Sequence, residues 1–203
     1  MVRRMTLLQY GIAQIGRPSA RKSSLAMLVE PTDLPGGGWR TIGERSFRIG
    51  FRIGASEVAR SARHTGAFAS SRYFEQAPAM SRYCWLEVMP YASAADAKSV
   101  LPDLETSIVR DPRTEATGVG RRIEPQEAPE VADYPFVYET PISGRNGPST
   151  PRMVGGIVAH VVFVVSCSEA GPGWSWSEVA PVGAAQALKI RTILDASSQS
   201  ETG

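Results

Sequence analysis

The chain has 203 residues, 42% of them hydrophobic and 21% charged, enough for one domain with a real core and too apolar for a disordered segment. No apolar run reaches about 18 residues, which excludes a membrane-spanning helix, and two cysteines are too few for a disulfide scaffold or a structural zinc site. The net charge of +2 is unevenly placed: residues 1–90 hold 13 Lys and Arg against 6 Asp and Glu, whereas residues 91–203 hold 9 against 14.

Residues 1–22 are expected to form a flexible basic arm. Arg3 and Arg4 precede Leu7 and Leu8 in the order of a secretory leader, but Gln9, Gly11 and Gln14 dilute the apolar stretch. A short helix is predicted from Ser23 to Glu30, stopped by Pro31. The loop Asp33-Leu34-Pro35-Gly36-Gly37-Gly38-Trp39 follows, its glycines permitting positive φ and a tight reversal that delivers Trp39 into a strand. It lacks the Lys-Ser/Thr of a phosphate cradle.

From Phe47 to Gly54 the residues alternate strictly. Phe47, Ile49, Phe51 and Ile53 are expected on one side of a half-buried strand, Arg48 and Arg52 on the other. Glu57 to His64 suggests helical turns, then Ala67–Glu75 and Arg82–Met89 read as aromatic strands. Ser93 caps a helix with Asp96 in the acidic position, and Val100, Leu101, Leu104 and Ile108 continue its stripe across Pro102, which must kink or split it. Val119–Ile123 and Tyr134–Pro141 read as strands, with a polar loop around Asn146-Gly147. Val154–Cys167 reads as the longest strand. A last helix from Ser177 to Leu194 would bury Val179, Val182, Leu188, Ile190, Ile193 and Leu194, with Pro181 in its first turn. The expected fold is α+β: a single, mainly antiparallel sheet of about five to seven strands against two or three helices, over residues 23–196, with a polar tail at 197–203.

The string around Gly36-Gly37-Gly38-Trp39, the segment Glu87-Val88-Met89-Pro90-Tyr91-Ala92-Ser93-Ala94-Ala95-Asp96-Ala97 and the corner Gly173-Trp174-Ser175-Trp176 resemble those of uncharacterised actinobacterial proteins. The layout from Ser81 to Leu194 is similar to PsbP-like domains, including small mycobacterial lipoproteins and sensor domains. The resemblance implies a binding or scaffolding role and carries over no catalytic residue.

Chemistry-bearing residues are sparse. There are two histidines, and His160 is expected on a buried strand face with Val158, Val162 and Val164. An enzyme pairing His160 with Cys84 or Cys167 is one alternative. The favoured reading makes both cysteines buried small hydrophobes in a reducing cytoplasm, with a disulfide between them as the other option. No G-x-S-x-G elbow occurs, and Glu124, Glu127, Glu130 and Asp133 lie among prolines, as in a solvated loop. No catalytic residue, metal or cofactor is expected.

The richest constellation interleaves arginines with aromatics: Arg48, Arg52, Arg72, Tyr73, Phe74, Arg82, Tyr83 and Trp85. Such a face suits an acidic partner or single-stranded nucleic acid. Trp174 and Trp176 could place one ring in the core and one at a ligand lip. The reading that follows is a cytoplasmic, non-enzymatic module binding a protein partner or small ligand, with Arg48, Arg52, Arg72, Trp174 and Trp176 as candidate contacts. The alternatives are the His160–cysteine enzyme and an arginine-face binder.

Overall fold

A computed structural model describes residues 23–48, 68–77, 82–102, 104–105, 120–144, 147–169 and 173–200. After one helical turn at 23–26, the strands are β1 (Trp39–Arg48), β2 (Phe68–Gln76) and β3 (Arg82–Pro90). Helix α1 (Ala94–Ser99) leads to β4 (Arg121–Arg122) and β5 (Phe136–Glu139). Then come β6 (Ile142–Gly144), β7 (Gly147–Ser149), β8 (Arg152–Val158), β9 (Val161–Glu169) and helix α2 (Trp176–Ser200). Seven strands form one antiparallel sheet in the order β1-β2-β3-β9-β8-β5-β4, and β6 and β7 make a separate ribbon. This is the expected α+β architecture.

Alternation within the strands divides the core in two. Phe74, Cys84, Leu86, Val88, Phe163, Val165 and Cys167 lie in the cluster packed under α2. Their sequence neighbours Met89, Val162 and Val164 point the other way and meet Ala97 and Val100 of the α1 region. Ser93 caps α1 as expected, accepting from the Asp96 amide at 3.1 Å.

The entry loop also behaves as expected. Gly36, Gly37 and Gly38 sit at φ +83°, +65° and +72°, and a Cβ on Gly38 would come within 2.7 Å of the Ala77 carbonyl oxygen. The reversal lets the Trp39 indole N–H donate to the Pro35 carbonyl at 2.8 Å, with the ring stacked on Trp174 at 5.6 Å.

Several elements differ from expectation. β1 starts at Trp39 as expected but contains an unexpected bulge between Thr41 and Gly43; Ile49–Gly54 and Glu57–His64 lie outside the described residues. Val154–Cys167 is not one strand but the β8–β9 hairpin, turning at Ala159-His160 with Ala159 at φ +53°. His160 is therefore a half-buried turn residue, its carbonyl accepting from the Tyr91 amide at 2.9 Å. No Gly, Asn or Asp marks this turn, which is why alternation alone ran through it.

Helix α2 starts before Ser177. Ser175 and Glu178 form a capping pair, in which the Ser175 amide donates to the Glu178 carboxylate at 2.8 Å and the Glu178 amide to the Ser175 carbonyl at 3.1 Å. Pro181 consequently lies beyond the first turn, inside the helix. The buried face runs through Val179, Val182, Gln186 and Ile190, spaced by three and four residues. Leu188, expected in the core, is two positions from Gln186 and thus on the opposite side, 62% exposed. Gln186 holds the chain before the 3-10 turn Pro31–Asp33, donating to the Met27 carbonyl at 2.7 Å and accepting from the Val29 amide at 3.3 Å. At Gly183 the helix passes so close to Tyr134 that a Cβ would lie 2.6 Å from the phenolic oxygen, which itself bonds the Ala180 carbonyl at 3.1 Å.

Candidate functional site

The β1 bulge decides which residues share a face. Thr41 pairs with Phe74 on the α2 side, but Gly43 pairs with Tyr73 on the other. One extra residue has inverted the alternation, so Gly43 and Arg45 point away from α2. Without the bulge, Arg45 would share the side of Trp39. With it, the Arg45 guanidinium lies 5.8 Å from the centre of the Tyr73 ring, and Tyr73 lies 6.4 Å from Trp85 at an interplanar angle of 31°. The result is a row running across β1, β2 and β3: an exposed arginine and two half-buried aromatic rings. Gly43 contributes no side chain beside Tyr73, and Ile42 at the bulge is 51% exposed. Arg40 pairs with Glu75 at 2.6 Å at the flank of the row.

Towards α1 the same sheet face becomes buried and polar. Glu87 is 1% exposed and stands in register with the buried Ser71. The Tyr91 hydroxyl is pushed well above the usual phenol range, first by burial and then by the Glu87 charge, so it stays a neutral donor. The face thus grades from a cationic, aromatic rim to an enclosed carboxylate.

The residues singled out from the sequence are dispersed rather than assembled. Arg48 ends β1, in register with Phe68, and Arg52 lies outside the described residues. Arg72 points to the α2 side and is 6% exposed, paired with Glu30 at 2.7 Å and Glu44 at 2.5 Å and donating to the Val29 carbonyl at 2.7 Å. Its guanidinium anchors the segment before β1 and presents nothing to a partner. Trp174 is a core anchor at 1% exposure, its indole N–H on the Ser168 carbonyl at 3.2 Å and Arg82 lying 4.0 Å over its ring. Trp176 is half-buried, with Arg152 5.3 Å from its ring centre. Neither tryptophan forms an exposed lip.

Phe74 and Arg82 likewise leave the constellation. Phe74 is in the core, and Arg82 pairs with Glu169 at 3.0 Å and Glu178 at 2.8 Å. Arg40 and Arg45, which were not singled out, take their places near Tyr73. The signal that could have found Arg45 is a glycine inside a strand pattern, Gly43, marking a bulge, whereas plain alternation already sets Arg40 on the face opposite Trp39.

The His160–cysteine pairing fails on distance. Both Cys167 along β9 and Cys84 along β3 lie seven residues from the turn that holds His160, about 23 Å at the rise of a strand. Burial also pushes the Cys167 thiol up, with its contact to Cys84 acting in the same direction. Among the described residues no group of three or more His, Cys, Asp and Glu could hold a metal, and no helix is long and apolar enough to cross a membrane. The carboxylate run is solvated as expected; Glu127, for example, pairs with Arg121 at 2.6 Å on the surface. A separate cavity of about 290 Å³ lies behind β4, with Ile123, Val131 and Val137 as its apolar lining and Arg122 and Glu124 as its charged residues.

No family model matches the chain, and no curated protein matches it in sequence. A solved structure does share its fold. The extracellular domain of PknH from Mycobacterium tuberculosis is similar with a TM-score of 0.54 at 8% identity, covering 85% of this chain and 96% of that one. At this identity the likeness concerns the fold. It agrees in layout with the sensor-domain resemblance read from the sequence.

Proposed function

We propose that the protein is a non-enzymatic recognition domain that takes a small ligand or a protein segment on the sheet face of β1, β2 and β3. The observation that carries this reading is the Arg45–Tyr73–Trp85 row: a cation and two aromatic rings of neighbouring strands on one surface, produced by a bulge. Such a row favours a ligand with a planar or apolar body against the rings and a negative group against Arg45. The use of the same fold as an extracellular domain in PknH is compatible with recognition. Kinship with PsbP-like domains would fit the same role.

An electrostatic contribution from the basic half, including Arg48 and Arg52, extends the reading to acidic partners and nucleic acid. The test is a titration, followed by tryptophan fluorescence, with aromatic carboxylates, nucleoside monophosphates, an acidic peptide and a single-stranded oligonucleotide at low and high salt. At least one probe is expected to bind, and Arg45→Gln and Tyr73→Ala should each weaken it about tenfold without unfolding the chain. A probe that binds equally well to both variants would remove this face as the site. Weakening of the unmodified protein by salt, matched by a loss of affinity in the Arg48→Gln/Arg52→Gln double variant, would favour the acidic-partner form of the reading.

A further inference from the structure

Cys84 and Cys167 face each other across the β3–β9 ladder as direct register partners, with their sulfurs 3.2 Å apart and both side chains buried. They are 83 positions apart in sequence. The strand order makes β3–β9 the junction between an N-terminal block, β1-β2-β3, and a C-terminal block, β9-β8-β5-β4. The thiols therefore meet on the seam that joins the halves of the sheet. One end of that seam is fastened by Arg82, which pairs with Glu169 of β9 and Glu178 of α2 and covers Trp174.

We propose that Cys84 and Cys167 are a modification site: a cross-strand disulfide that forms when the chain meets an oxidised low-molecular-weight or protein disulfide. In the first step one cysteine, as thiolate, attacks a sulfur of the oxidant. The sulfur–sulfur bond of the oxidant breaks, and its departing thiolate takes up a proton. In the second step the other cysteine, again as thiolate, attacks the cysteine sulfur of the mixed disulfide and expels the second half of the oxidant as a thiol. The two cysteines are oxidised by two electrons and the oxidant is reduced to two thiols. Closure brings the sulfurs about 1 Å nearer, to the usual bond of about 2.05 Å. That movement is within reach of small side-chain rotations. Because both sulfurs are buried, exchange proceeds during folding or through opening of the seam, and the closed bond is shielded from external thiols. The site is independent of the β1–β3 recognition face.

The test uses the full chain, unfolded and refolded in glutathione buffers of graded oxidised fraction, then quenched with an alkylating agent. Intact mass should show loss of two hydrogens and no alkylation. A non-reducing tryptic digest should contain Tyr83–Lys98 joined to Met153–Lys189. The oxidised form should have the higher denaturant midpoint, and the midpoint of a Cys84→Ala/Cys167→Ala variant should be indifferent to the buffer. Two alkylated cysteines under full oxidation, stable glutathione adducts in place of the linked peptides, or a linked form with a lower midpoint than the dithiol would each overturn the proposal.

Discussion

The two faces of the sheet are made from the same strands, yet they are used differently. On the α2 side, Phe74, Leu86, Val88, Phe163 and Val165 form a continuous apolar layer closed by Val179, Val182 and Ile190. On the other side the residues one position along are Tyr73, Trp85 and Glu87, with Arg45 at the rim and α1 at the far end. A period of two lets one run of sequence specify an apolar face and a mixed polar and aromatic one at once. The opposite face has an apolar part of its own, where Met89, Val162 and Val164 meet Ala97 and Val100, and carries charge and aromatic surface across β1, β2 and β3.

The largest expected effect breaks the dry face. Leu86→Ala should cost about 2–5 kcal/mol in denaturant unfolding, the range for a fully buried leucine. Tyr73→Ala, across the same sheet, should cost roughly 1 kcal/mol or less. Equal losses would mean that the Tyr73 ring serves as core rather than as surface. Leu188→Ala, on the exposed side of α2, should stay within about 0.5 kcal/mol.

Next comes the polar exception inside the apolar layer. Gln186→Ala removes the partners of the Met27 carbonyl and Val29 amide and should destabilise by about 2–4 kcal/mol, with faster amide exchange concentrated at residues 27–30. Exchange that rises uniformly over the sheet would show that the glutamine matters only as packing volume.

The smallest effect sharpens the role of the α2 terminus. The Ser175 amide bond, followed by the Ser175 hydroxyl and Arg82, holds the Glu178 carboxyl below its ordinary range. A lowered folded pKa means stability that is present above the unfolded value and lost as pH falls through the folded one. Because the side chain is well exposed, Glu178→Gln should remove only about 0.5 kcal/mol at neutral pH. The difference from wild type should shrink on acidification below the carboxylate range. A difference that stays constant with pH would assign the effect to geometry rather than charge.

Much of the architecture was legible. Alternation located β2 and β3, Ser93 and Asp96 marked α1, and the three glycines after Pro35 announced the reversal before Trp39. The failures have specific causes. Ala159-His160 carries no turn chemistry, so the β8–β9 hairpin looked like a single strand. The stripe on α2 was drawn too broadly, because a buried glutamine held a place that pattern reasoning gave to Leu188. The Ser175–Glu178 capping spacing was available and would have set the helix start. The site suffered most from the bulge in β1, since a one-residue insertion reverses every later assignment of side chain to face. Arg72 looked like a surface arginine because its three partners lie far from it in sequence, Val29 and Glu30 in one segment and Glu44 in another.

The seam between the halves of the sheet also governs how the chain collapses. β8 and β9 join across the two turn residues Ala159 and His160, so that ladder forms at little entropic cost. Across β3–β9, Pro90 meets Val161 and Arg82 meets Glu169, pairings that enclose most of the intervening chain in one loop. The large loop-closure term therefore falls on a single ladder, while neighbouring ladders are built from nearer segments. The two blocks of the sheet are thus joined through the ladder whose closure spans the longest stretch of chain.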